Sequence, residues 1–374
     1  MSGMARRSFL LAAGCALLAA PGATAQRNRA TEPPAPETDL STPEGWLEWI
    51  RHHPDDFGLV LDNGYGDQLL HQPRTPRPLA SAVKVVHLAA YAEAVATGRL
   101  HPDEQIRVGD WERYYVPTDG WAHKNALTHL GIPLDPSGLH AADPEHVVRL
   151  DDVVSAMIMF SDSAAPDYLR NRLGPAALHQ AAEAAGWHQP DIRSMCAEYL
   201  YLVLPETAPP AHLPVAARRR HGFALERRFA IDEQLRQRML QRLGDGLPPY
   251  PVQQAWAAKT MAATPTQLAR LHTAIATGRT TGAELARTHL ERPLSGSLPP
   301  GVIGIGHKGG SLPGVLTTGM AVRRENGSTA TGVLLVHGGI SAEEMLNDPN
   351  PAQLVLLAVE QPDWWDRLAT ALHR

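Results

Sequence analysis

The chain has 374 residues, 44% hydrophobic and 20% charged, with 32 prolines and 31 glycines. This globular composition excludes a disordered, collagenous or coiled-coil chain. The formal net charge of −5 offers no global attraction to nucleic acid or an acidic membrane surface, and two cysteines, Cys15 and Cys196, exclude a disulfide scaffold and a thiolate metal cluster.

Residues 1–25 read as an address. Arg6 and Arg7 precede a short apolar run, and Ala23-Thr24-Ala25 forms a small-residue cleavage site before Gln26, the pattern of a secretory signal peptide. The run is too short and too Ala-rich for a good membrane span. Arg6-Arg7-Ser8-Phe9-Leu10 fits a twin-arginine signal; a general secretory signal and a lipoprotein signal at Cys15 are the alternatives. The expected location is periplasmic or secreted, with no stable membrane span once the signal is removed. After cleavage Cys196 is the one cysteine left, so no intrachain disulfide can form. Residues 26–41, with Pro33, Pro34 and Pro36, form a linker without core-forming residues.

Residues 42–374 read as one domain. Thr42-Pro43-Glu44 supplies a cap, a first-turn proline and a first-turn acid for a short helix through Trp46, Trp49 and Ile50. Residues 57–61 and 68–71 predict a hairpin around Asp62-Asn63-Gly64. Residues 79–97 are Ala-rich and free of Pro and Gly, which predicts a buried helix starting near Ser81 and stopping at Gly98. Residues 150–160 and 167–185 predict further helices, the second punctuated by Gly174-Pro175. Residues 206–254 have Pro-rich edges around an Arg-rich middle, with a helix expected near 231–243. In that stretch Arg218-Arg219-Arg220 and Arg227-Arg228 read as a solvated face, or as a patch that steers an anionic polymer. Thr264-Pro265 opens another helix. The period then switches to two: residues 302–307, 316–322 and 331–337 predict an antiparallel meander with a turn at Asn326-Gly327. Helices from residue 352 onward, broken near Pro362, close the chain. The expected fold is α+β: one antiparallel sheet built from N- and C-terminal segments, flanked by helices, plus an inserted all-α domain. Residues 42–80 and 264–374 form the α/β part, 81–200 the mainly helical part, and 201–260 an insertion.

Four lysines stand against thirty arginines. A chain that uses Arg wherever charge suffices makes each retained Lys informative, because Lys can lose its proton when desolvated. Ser81-Ala82-Val83-Lys84 opens the most apolar helix. A spacing of three puts both side chains on one helical face, with the hydroxyl at the positive end of the helix dipole. Burial among Val and Ala lowers the pKa of Lys84, and a neutral amine beside a hydroxyl is a competent general base. Ser161-Asp162-Ser163 follows the apolar helix that ends at Phe160, placing two hydroxyls around a carboxylate at a helix junction. His307-Lys308-Gly309-Gly310-Ser311 ends a strand, joining a cation to glycines that admit close backbone approach. Read singly, each has a plainer meaning: a capping Ser with a snorkelling Lys, an N-cap, and a strand end before a tight turn.

Together the three resemble the S-x-x-K, S-D-N and K-T-G set of the penicillin-recognising serine enzymes, in the same order and on the same kinds of element. The class A β-lactamase branch is the nearest match, from about Trp46 to the C-terminus with insertions, supported by the hairpin, by Leu173-Gly174-Pro175-Ala176-Ala177-Leu178 and by Ala263-Thr264-Pro265. The resemblance implies that Ser81 is the acylated nucleophile and Lys84 its base or proton shuttle. It implies that Ser161 relays a proton to the leaving nitrogen, assisted by Lys308. Backbone N–H groups of Ser81 and Ser311 would form an oxyanion hole, each such donor contributing on the order of 3 kcal/mol. Ser163, Gly309, Gly310 and Ser311 would bind substrate, and Tyr114 or Tyr115 would line the cleft. No metal or organic cofactor is implied. The expected partner is a small β-lactam or a peptidoglycan-type acyl substrate, and the expected state is a monomer.

The sequence departs from the family at three places. Ser163 replaces an Asn, and Gly309 replaces a Thr that helps hold a substrate carboxylate; Ser311 compensates in part. No Glu-Pro-x-Leu-Asn follows the second motif, and Glu198 is the candidate for the water-activating Glu. The leading expectation is hydrolysis of a β-lactam through acyl-Ser81. A D-Ala peptidase, amidase or esterase of the same fold and a non-catalytic penicillin-binding or sensor domain are the rivals. His87, one turn after Lys84, reads as packing.

Overall fold

The computed structural model describes residues 38–373. The signal peptide and nearly all of the expected linker lie outside the described residues. Five strands build the main sheet: β1 (Phe57–Asp62), β2 (Gln68–His71), β3 (Val302–Leu312), β4 (Val315–Arg324) and β5 (Thr329–His337). Their order is β2-β1-β5-β4-β3, antiparallel throughout. The N-terminal hairpin therefore joins the C-terminal meander, with Leu59 opposite Leu334, as the strand distribution predicts.

Both faces of the central strands are covered, and period-two alternation sorts their side chains. Leu59, Leu61, Leu334 and Val336 pack with Trp46, Trp49 and Val355 from the terminal helices. Val60, Val333 and Leu335 turn the other way and join the large core of the helical half. Burying an aliphatic side chain of this kind contributes about 1.5–3 kcal/mol. The terminal helices are Pro43–His52, Pro351–Glu360 and Pro362–Leu372; the first is capped by Thr42.

The helical half centres on Lys84–Ala96, preceded by a short 3-10 turn, Ala80–Val83. The helix ends before Gly98, whose φ of 71° favours glycine. Leu150–Met159, Ala165–Leu173 and Pro175–Ala184 surround it. Thr264 and Gln267 form a reciprocal capping box for Pro265–Ala276. The stretch 201–260 is helical: Val215–Phe229, Glu233–Gly244 and Tyr250–Ala257. Leu225, Phe229, Leu235 and Met239 belong to the same core as the serine-bearing helix. Glu226 reaches inward to Arg170 and accepts from Asn171 Nδ2 at 2.6 Å, all but fully buried. This ion pair ties the helix Val215–Phe229 to Ala165–Leu173, because without Arg170 the Glu226 carboxylate would be a buried charge lacking its cationic partner.

Candidate active site

Strand β3 and the start of the helix Lys84–Ala96 meet on the helical side of the sheet. Leu79 N–H donates to the Met261 carbonyl at 2.9 Å, and the Leu79 carbonyl accepts from Thr317 Oγ1 of β4 at 3.0 Å. Ala80 is held at φ 47°, a left-handed conformation that costs a non-glycine residue about 1–3 kcal/mol. Gly310 of β3 faces the turn. A Cβ there would lie 2.4 Å from Ser81 N and 2.9 Å from Ala82 N, so glycine alone allows the strand this close. Ser81 is thus wedged between sheet and helix.

Lys84 follows one turn later and is fully buried. Its Nζ donates to Ser81 Oγ at 2.8 Å and to the Ser161 carbonyl at 2.5 Å, with Ser161 Oγ at 3.3 Å and Ser163 Oγ at 3.5 Å. Burial lowers its pKa to about 8, against the pull of Asp162, Asp119 and Asp167. About a tenth of the amine is then neutral at pH 7. Ser161 sits at the junction of Leu150–Met159 and Ala165–Leu173 with φ 63°. Its Oγ accepts from Lys308 Nζ at 3.0 Å, and Lys308 also donates to the Gly309 carbonyl at 2.7 Å. Burial, then the charge of Lys84, holds Lys308 well below the ordinary lysine range. One continuous chain of hydrogen bonds therefore links Ser81, Lys84, Ser161 and Lys308. It can carry a proton from the first hydroxyl to the second.

Asp162 holds the junction from behind. It accepts from Trp111 Nε1 at 3.0 Å, Ala165 N at 2.6 Å and His123 Nδ1 at 2.5 Å. His123 Nε2 lies 3.0 Å from Glu112 Oε1, which also accepts from Ala141 N at 2.8 Å. Burial opposes a charge on His123, but Asp162 and Glu112 overcome it and raise the pKa to about 10. His123 is therefore an imidazolium at neutral pH, donating at both nitrogens. Sequence reasoning missed this group: around 121–145 the sequence reads as an expansion between the first two motifs, and Glu112 and Asp119 belong to no motif. The available signal was Glu112, Asp119 and His123 set among Trp111 and Tyr115.

A cavity of about 280 Å³ opens over the hydrogen-bonded chain, lined among others by Ser81, Ser161, Ser163, Lys308, Gly309 and Ser311. Gly310 lines it too, so the structure brings together every candidate from the three motifs. Gly309 stands where a hydroxyl was expected; a Cβ there would meet the Thr317 carbonyl at 3.1 Å. The Tyr199 hydroxyl is pushed far up by burial and by Asp119, so it stays a neutral phenol. His87 is fully buried, in keeping with packing.

Glu198 is not brought to this cavity. It lies on the helix Met195–Val203, where Arg193 Nη1 and Arg218 Nε each reach its Oε1 at 3.2 Å and Arg218 Nη2 reaches Oε2 at 2.8 Å. Two guanidinium groups claim both oxygens. Arg218 thereby leaves the expected solvated basic face. Neither tyrosine lines the cleft: Tyr115 is buried with its hydroxyl on Asp119, and Tyr114 borders a separate surface groove. Among the described residues, no group of three or more His, Cys, Asp or Glu side chains is placed to hold a metal ion.

The family described as "Beta-lactamase enzyme family" matches residues 47–353. No curated protein matches significantly. Among solved structures, a β-lactamase from Sphaerobacter thermophilus DSM 20745 is 17% identical with a TM-score of 0.52, the match covering 84% of this chain and 96% of that one. A β-lactamase from Chitinophaga pinensis DSM 2588 is 15% identical with a TM-score of 0.50, covering 81% and 93%. The protein PBP-A is 17% identical with a TM-score of 0.50, covering 87% and 94%. At these identities the likeness is one of fold.

Proposed function

Since the chain belongs to the beta-lactamase enzyme family and is a β-lactamase-like serine hydrolase, we propose that it is an exported enzyme that opens β-lactams through an ester on Ser81. The observation that carries this reading is the unbroken hydrogen-bond chain Ser81–Lys84–Ser161–Lys308 along one cavity. Export is supported by the pattern of residues 1–25.

In this reading neutral Lys84 takes the Ser81 proton as Oγ attacks the lactam carbonyl. The carbon–Oγ bond forms and the carbonyl electrons move onto oxygen, facing the backbone N–H groups of Ser81 and Ser311. Collapse breaks the carbon–nitrogen bond. The nitrogen takes a proton from Ser161, which Lys84 replaces. Lys308 supplies the charge beside Ser161: a substrate carboxylate entering the cleft favours its protonated form.

Benzylpenicillin mixed with the protein and followed by intact mass tests the reading. Wild type is expected to gain the mass of the whole antibiotic and then release ring-opened product; Ser81→Ala is expected to do neither. An adduct equally abundant on Ser81→Ala would overturn it. The engagement of Glu198 by Arg193 and Arg218 favours a second reading, in which the ester forms but hydrolyses slowly, as a penicillin-binding protein behaves. A persistent wild-type adduct with little product is its mark.

Gly310→Ala is expected to cut acylation by on the order of 100-fold, the scale of a misplacement of about 1 Å. The added methyl presses on Ser81 N. Stopped-flow acylation beside a thermal melt separates this displacement from simple unfolding.

A further inference from the structure

With Glu198 drawn to Arg193 and Arg218, ester hydrolysis needs another proton acceptor. Among the described residues, the cavity that holds Ser81 is lined by a single carboxylate, that of Asp119. Asp119 is 7% exposed, enough to face the cavity and little enough to be out of bulk water.

Its placement is well determined. Gly120 and Trp121 both adopt left-handed backbone, at φ 63° and 72°, and turn the chain into the helix Ala122–His129. Tyr115 donates its hydroxyl to Oδ1 at 3.0 Å, and His123 N–H donates to Oδ2 at 3.1 Å. Each oxygen has one protein donor, which leaves lone pairs for a water. Burial and neighbouring Asp162 make this carboxylate more basic than usual, while His123 and Lys84 keep part of that rise in check. Lys84 Nζ, at hydrogen-bond distance from Ser81 Oγ, is placed to return a proton to the serine.

We infer that Asp119 is the catalytic base that activates water in hydrolysis of acyl-Ser81; this rests on the acyl-serine reading above. The water oxygen bonds to the ester carbon while Asp119 takes one of its protons. The tetrahedral intermediate collapses, the carbon–Oγ bond breaks, and the Asp119 proton passes through the Lys84 amine to Ser81 Oγ. One water is consumed, one acid released, and both groups return to their starting states.

Asp119→Asn keeps the shape and removes the base. Acyl transfer from benzylpenicillin and from a p-nitrophenyl ester, followed by intact mass and product release, reads the two steps separately. Acylation is expected to be retained, and the adduct is expected to persist at least 100-fold longer. Asp119→Ala should lose deacylation likewise and regain at least tenfold on addition of formate at constant ionic strength, a rescue that a structural role would not give. Wild-type deacylation in Asp119→Asn, a change confined to KM, or loss in Asp119→Ala without formate rescue would each overturn the assignment. If wild type takes no acyl group from either donor, the acyl-serine reading itself falls, a result visible before any variant is compared.

Discussion

Replacing Lys84 by alanine is expected to slow acylation of Ser81 by about 10³–10⁴-fold, the upper range for a positioned general base. Lys84 Nζ is the group at hydrogen-bond distance from Ser81 Oγ, and it touches the second hydroxyl as well. On the proposed mechanism its removal takes away both the acceptor of the first proton and the source of the second. Lys84→Arg is not expected to restore the rate, because a guanidinium keeps its proton at any working pH. The pH dependence distinguishes this role from simple packing. Burial holds the Lys84 pKa at about 8, so the neutral fraction, and with it the wild-type acylation rate, rises as pH passes through about 8 and then levels off. Single-turnover acylation between pH 6 and about 9.5 checks this: the rising limb belongs to wild type and is absent in Lys84→Ala. A variant that keeps both the rate and the limb would remove Lys84 from the mechanism.

His123→Ala is expected to destabilise the fold by about 3–5 kcal/mol, the usual cost of leaving a buried charge without its partner. Here two carboxylates, Asp162 and Glu112, are left facing each other across the vacated ring. The sign of the pH effect follows from the folded pKa, raised to about 10 from 6.5. The stabilisation is fully present below the unfolded value of about 6.5 and is lost as pH rises through about 10. Urea unfolding of wild type and variant at pH 6 and at about pH 10.5 should therefore show a large gap at the lower pH and a small one at the higher. An equal gap at both would mean that the ring acts through packing alone. Because Asp162 separates Ser161 from Ser163, the variant should also lose activity under conditions where it remains folded.

Elements governed by local rules were legible in the sequence. Thr42 and Thr264 announce their helices, Gly98 ends one, and alternation marks the three C-terminal strands. The three motifs were legible because each sits at the edge of such an element, so finding the element finds the residue. Asp119 and His123 were not. They lie in a stretch without periodicity, and their roles come from partners that are distant along the chain, Asp162 for His123 and the cavity wall for Asp119. The placement of Glu198 was hidden for the same reason. Its position after the second motif was suggestive, but its direction is set by Arg193 and by Arg218 from the helix Val215–Phe229, ion pairs that no local pattern encodes.

The clamp on the serine turn has a consequence for how the protein comes into being. Thr317 holds Leu79 across 238 residues of chain, Lys308 holds Ser161 across 147, and the hairpin β1-β2 joins the rest of the sheet only through β5. Contacts of such long sequence separation form slowly, since the loops they close must first lose their freedom. During synthesis, Ser81 and Lys84 emerge early and wait for strands made near the end. On the proposed mechanism, an unfinished chain thus carries Ser81 and Lys84 without the cleft, and its serine is an ordinary alcohol. Reactivity arrives last, when the two ends of the polypeptide meet, and an incomplete molecule has nothing with which to trap itself on a covalent ligand.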